Sequence, residues 1–168
     1  FEPSGDFRCS DETLNRIWRV CRETAWACTK DHPMDCLTRE QALWTADLNV
    51  HARAMAACFG DVRPAMKAVR QVLRVMRDDG IVPVPGPVDL RYPVTGDSLP
   101  WSGQPLTLPM TVRDIYRHTG DLDFLRFALP KLEKMLRHFA RYEDERGLLD
   151  TQRPGLPSLT LFGGWNPK

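Results

Sequence analysis

Glu40, Trp44, Asp47 and His51 follow one another at i, i+4, i+7 and i+11 in a stretch otherwise rich in alanine and leucine. On a helix all four would project from one stripe of an apolar rod. Two carboxylates buried there are costly unless they have partners or face a wet pocket, and a cavity explains them economically. Such a pocket suits sugar chemistry. A partly desolvated Glu can protonate a leaving oxygen, an indole can pack on a sugar face, and a carboxylate accepts bonds from hydroxyls. Glu40, Trp44 and Asp47 supply those three parts. Asp35 and Arg39 come just before them, and Arg39 can either hold a substrate hydroxyl or orient Glu40 through a charge-assisted bond. Spacing alone fits a second arrangement equally well, in which Arg39, Glu40 and Asp47 form a buried ion-pair network and Trp44 is plain core. His32, Asp35 and Cys36 carry metal-binding atoms, but no matching pair occurs elsewhere, so neither a metal nor a cofactor is expected.

The elements that must position these residues read as helices. Residues 11–29 have Ser10 or Asp11 as N-cap, and Leu14, Ile17, Trp18, Cys21, Thr24 and Ala25 recur at helical spacing, which predicts an amphipathic helix. Pro33 disfavours helix at His32, so a short loop follows. Residues 38–59 read as a helix that is apolar on most sides and therefore buried on most sides. Over 61–79, Arg63, Lys67, Arg70, Arg74 and Arg77 form one basic stripe on an outer helix ended by Gly80; in a charge-balanced chain this reads as a solvated face. Five prolines and three glycines in 81–104 make a long ordered loop of the kind that serves a site. Helices are expected over 106–118, closed by Thr119 and Gly120, and over 121–145, where Pro130 can begin a second helix in its first turn. Beyond Gly147 the chain turns irregular. Helices alternating with loops and no convincing strand make the class all-α.

The chain has 168 residues, 42% of them hydrophobic, enough for one ordinary domain over 1–168. Lys plus Arg number 23 against 22 Asp plus Glu, a balance that leaves no electrostatic footprint for nucleic acid or an anionic membrane. Apolar runs fall short of the roughly 20 residues of a membrane helix. Cys9, Cys21, Cys28, Cys36 and Cys58 are odd in number and lack CxxC spacing, which favours reduced thiols and a cytoplasmic over a secreted setting. Because the sequence opens on Phe1, its location stays open.

The run from Asp35 through Cys36, Leu37, Thr38, Arg39, Glu40, Gln41, Ala42, Leu43, Trp44, Thr45 and Ala46 to Asp47 resembles Asp-Cys-Pro-x-Arg-Glu-x-x-Gly-Trp-x-Gly-Asp. That is the signature of the six-hairpin domain of bacterial α-L-rhamnosidases, glycoside hydrolase family 78. Residues 9–18 look like that domain's opening helix, and Gln71, Asp79-Gly80, residues 116–121 and Gly147-Leu148 fall in its expected order. The resemblance implies an inverting glycosidase acting on terminal α-L-rhamnose or a similar sugar. It makes Glu40 the general acid, and Asp35, Arg39, Trp44 and Asp47 the lining of the site, with Trp101 and Trp165 as further substrate-binding candidates. It also implies a partial (α/α)6 toroid, about the first half, with the general base beyond Lys168. The remaining half or a partner chain would then cover the inner helices. Leu37, Leu43 and Ala46 depart from the signature, and Gly103 and Gly164 stand where aspartates are common. These departures, with the absent base, motivate the alternative of an inactive carbohydrate-binding or scaffold relative, or a truncated fragment.

Overall fold

The computed structural model describes residues 2–86 and 103–156, and these fold into five α-helices with no strand among the described residues. Helix α1 (Glu12–Ala27) starts where the Asp11 carboxylate accepts the Thr13 and Leu14 amides, the pattern its sequence predicts. Buried Asn15 fixes the preceding segment by exchanging two 2.9 Å bonds with the Cys9 backbone. Only part of the expected face of α1, Trp18 and Ala25, turns inward. Leu14, Ile17 and Val20 are exposed, whereas Asn15 and Ala25 are buried and Trp18 packs on a small cluster with Met55, Cys58 and Phe59.

Helix α2 (Thr45–Phe59) begins later than the expected residue 38, for reasons that belong to the site below. It ends at Gly60, whose φ of 60° lies in the left-handed region. Helix α3 (Arg63–Arg74) buries Ala65, Met66, Ala68, Val69, Val72 and Leu73. It stops before residue 79, because the Arg77 amide reaches the Ile81 carbonyl and the Gly80 amide the Arg77 carbonyl, closing a turn. The basic stripe is solvated, and its members act singly: Lys67 pairs with Asp31, Arg63 with Asp61, and Arg70 lies over the Phe124 ring.

A 3-10 turn at Pro105–Thr107 leads into α4 (Leu108–Thr119), closed by left-handed Gly120 as predicted. Asp121 then caps α5 (Leu122–Ala140) through the Phe124 amide at 2.8 Å. Pro130 does not divide α5 in two. It removes one backbone donor, but Phe124, Ala128, Leu132, Met135 and Phe139 on both sides of it are buried in the shared core and hold the helix as one. The chain leaves α5 before residue 145 and folds back, with the Asp150 amide on the Tyr142 carbonyl.

Helices α2 and α4 run parallel. The Thr107 hydroxyl donates to the Thr45 carbonyl at their starts, Arg53 meets Asp114 at 2.8 Å midway, and His118 contacts the Gly60 carbonyl at their ends. Since α1, α3 and α5 are joined to them by reversals of direction, they run the opposite way, and α3 packs on α2, α4 and α5. The main core lies between these helices, from Leu48 and Ala52 through Val69 and Val72 to Ile115 and Met135. One end of the bundle therefore collects the starts of α2 and α4 together with the loops that follow α1 and α3.

Two left-handed glycines separate two costs of substitution. Gly80 has a φ of +95°, and an added methyl would stand 2.8 Å from the Lys134 carbonyl oxygen, whereas Gly120 at +66° has open space around it. Gly120→Ala is expected to lose about 1 kcal/mol from backbone conformation alone, and Gly80→Ala roughly 2–3 kcal/mol. Denaturant midpoints measure both; equal losses would show that the close approach of Gly80 to α5 is unimportant.

Candidate active site

The loop from Cys28 to Trp44 is built on backbone bonds that its side chains organise. The Met34 amide returns to the Cys28 carbonyl, and Asp35 then closes a tighter loop from both directions. Its own amide donates to the Ala42 carbonyl at 3.1 Å, and its carboxylate accepts the Ala42 amide at 2.9 Å. Inside this closure the Glu40 amide donates to the Cys36 sulfur at 3.3 Å, and Gln41 takes a left-handed φ of 52° while its side-chain amide donates to the Leu37 carbonyl. These interactions consume the amides that a helix would need, which is why α2 starts at Thr45 and Glu40 lies off it.

The helical stripe expected for Glu40, Trp44 and Asp47 is thus replaced by a loop carboxylate facing a helix start. The pairing survives the change. The Trp44 indole N–H donates to Glu40 Oε2 at 2.7 Å, and the Arg39 guanidinium meets Oε1 at 2.7 Å. The Glu40 side chain is 24% exposed, and Trp44 is 8% exposed, so little of the indole is open and its N–H contacts the carboxylate. The Glu40 carboxylate and its two donors form a small network at the surface of the loop, with the ion pair to Arg39 that one of the two alternatives expects but without Asp47 in it.

Asp35 and Asp47 line a cleft of about 340 Å³ between α1 and α2, with Met34, Val50 and His51 on its walls. Asp47 is exposed on its open side. Partial burial nonetheless pushes its carboxyl above the usual range, and the negative charges of Asp35 and Glu40 add to the effect, while its own backbone amide opposes it. His51 lies one turn beyond Asp47, with Nε2 2.6 Å from the Thr29 hydroxyl, and burial holds its pKa down. It ties α2 to the end of α1. A larger hollow of about 440 Å³, at the opposite end of the helices near Gly60 and His118, holds none of the candidate site residues.

The start of α2 is completed from far along the chain. Trp44 occupies the N-cap position without a side-chain bond to the helix, and Gln104 accepts the Ala46 amide at 2.8 Å in its place. Sequence reasoning missed Gln104, because no local pattern marks a partner 58 residues away. Cys36 and Gln41 were legible only as residues within the motif. Trp101, Trp165 and Gly164 lie outside the described residues. Gly103 is exposed, and a side chain there would meet nothing within 4 Å, so packing does not require glycine. Among the described residues, no group of three His, Cys, Asp or Glu side chains could hold a metal ion, and no helix is long and apolar enough to cross a membrane.

Residues 2–156 match the model of the bacterial alpha-L-rhamnosidase six-hairpin glycosidase domain. The fold is similar to the crystal structure of a glycoside hydrolase family 78 rhamnosidase of Bacillus sp. GL1, with a TM-score of 0.76 and 26% identity. That similarity covers 86% of this chain and 14% of the other, so the chain spans a small part of that rhamnosidase's length. No curated protein matches the chain. The family match runs through all five helices and through the loop carrying Glu40, and the chain belongs to the bacterial α-L-rhamnosidase six-hairpin glycosidase family.

Proposed function

We propose that this chain carries the general acid of an inverting glycosidase that removes terminal α-L-rhamnose or a similar sugar. The observation that supports this reading is the placement of Glu40. Its carboxylate receives the Trp44 indole N–H on one oxygen and Arg39 on the other, in the loop whose first residue, Asp35, also lines the cleft with Asp47. In the reaction, Glu40 gives a proton to the glycosidic oxygen as the bond from that oxygen to the anomeric carbon breaks. Water attacks the opposite face, and its proton passes to a second carboxylate roughly 6.5–9.5 Å from the first. That base belongs to a part of the protein outside this chain. Asp35, Arg39 and Asp47 bind the hydroxyls of the terminal sugar, with Trp44, Trp101 and Trp165 completing the site. Before transfer, Glu40 Oε1 gives up its bond from Arg39 and takes a proton from solvent, which then faces the leaving oxygen.

A second reading has one observation in its favour. Gly103 stands in open space where the family commonly places aspartate, which fits a relative that binds sugar without cleaving it. We also propose that the chain works against further helices of a six-hairpin barrel. Leu14, Ile17 and Val20 on α1 and Leu122, Leu129 and Leu136 on α5 are exposed at the two ends of the array, and Val50 on α2 is 69% exposed. Residues 1–168 expressed alone should bind a hydrophobic dye and self-associate, and a monodisperse monomer that binds no dye would contradict this.

In the complete protein, Glu40→Gln should lower turnover of an alkyl α-L-rhamnoside by about 10²–10⁴-fold while leaving a dinitrophenyl glycoside far less affected, because only the poor leaving group needs protonation. Wild-type turnover of the alkyl substrate by that variant would remove Glu40 from the role. Rhamnose binding by calorimetry without any turnover would favour the second reading.

Asp47 yields a pH-dependent expectation with a definite sign. Its carboxyl is raised in the folded chain, so the ionised form present at neutral pH opposes folding. Asp47→Asn should therefore raise Tm modestly at pH 7, and the gain should shrink as pH falls through the raised value, where the wild-type carboxyl is protonated as well. A gain that grows toward acid pH would contradict the assignment.

A further inference from the structure

Nothing in the family signature draws attention to Gln104, yet its side chain reaches the first turn of the helix that begins at the acid's partner. Gln104 is 7% exposed, and its Oε1 accepts the Ala46 amide at 2.8 Å. Ala46 is the second residue of α2, and one of the amides a helix leaves without an intrahelical acceptor. The residue placed to cap it, Trp44, offers no oxygen, and its N–H is already given to Glu40 Oε2. Two residues after Pro105, Thr107 makes a second attachment, its single hydroxyl proton shared between the Thr45 carbonyl at 2.9 Å and the Gln104 carbonyl at 2.8 Å. The short segment from Gln104 to Thr107 therefore grips the start of α2 through a donor and an acceptor at adjacent residues.

We propose that Gln104 is a positioning residue for the general acid, acting on Glu40 through the first turn of α2 and the Trp44 indole. The inference rests on the reading of Glu40 as that acid. The backbone of Trp44 accepts the Leu48 amide and so moves with the first turn. The indole is buried and cannot re-aim freely, so displacement of the first turn displaces the N–H that holds the carboxylate. A shift of about 1 Å in a catalytic group can cost on the order of 10²-fold in rate.

The experiment compares Gln104→Leu and Glu40→Gln in the complete protein on two α-L-rhamnosides, an alkyl glycoside whose leaving group needs an acid and a dinitrophenyl glycoside whose leaving group does not. Gln104→Leu should lower kcat on the alkyl substrate by about tenfold, with kcat on the activated substrate and both KM values within about twofold. A general loss of folded protein would lower both rates together. Thr107→Val, which removes the second attachment with a side chain of nearly the same shape, should show the same split at smaller size and decides the matter if Gln104→Leu does not fold. Equal effects on the two substrates, or no effect, from the variants that fold would overturn the role of Gln104. If Glu40→Gln itself shows no dependence on the leaving group, the reading of Glu40 has failed instead.

Discussion

A helix that starts inside a protein needs acceptors for its first amides, and α2 finds one of them 58 residues along the chain. Most of the architecture follows from that need. The Gln104 acceptor and the Thr107 hydroxyl bring the start of α4 beside the start of α2, which sets the two helices parallel. Helix α3 runs back alongside this directly packed pair, with its alanines and valines filling the space against α2, α4 and α5. The loop after α3 then returns to the same end, where the Gly86 amide meets the Leu43 carbonyl just ahead of α2. Val72 lies so close to Gly86 that a side chain there would clash with it, which fixes how near this loop comes to the core.

The parts of this arrangement that depend on neighbours in sequence could be read from it. Asp11 and Asp121 cap their helices, Gly120 closes its own, and apolar positions of α3 such as Met66, Val69, Val72 and Leu73 lie in the core. What could not be read were choices made by contacts at longer range. Helical spacing from Thr38 onward is genuine in composition, but the Asp35 carboxylate seven residues before Ala42 competes for the same amide and wins. Gln41 gives no sign of its left-handed backbone, since neither glycine nor asparagine marks it. On α1 the periodicity is sound and the face half right: Trp18 and Ala25 turn inward, but so does Asn15, to bond the Cys9 backbone, while Leu14 and Ile17 remain outside. A stripe of apolar residues shows that a face seeks a partner without naming which partner.

The site shows the same mixture. The helical spacing of Glu40, Trp44 and Asp47 predicts one stripe, whereas the structure pairs Trp44 with Glu40 off the helix and sets Asp47 apart, on the wall of the cleft between α1 and α2. The loop brings the carboxylate to the indole by a different route. Trp44 accordingly does two things at once, burying its ring and holding the Glu40 carboxylate with its N–H, as amphipathic aromatic side chains commonly do.

The parallel course of α2 and α4 also sorts charge along the bundle. Peptide dipoles align along a helix, so its start carries a partial positive charge and its end a partial negative one. With both helices pointing the same way, two positive ends lie at the end that carries Asp35 and Glu40 on the loop and Asp47 on the first turn of α2, and two negative ends lie where His118 meets the Gly60 carbonyl. The backbone thereby supplies, in a fixed direction and without any side chain, part of the field that lets three carboxylates share one small region. The same acids at the opposite end of these helices would face carbonyl oxygens, and the bundle would repel them.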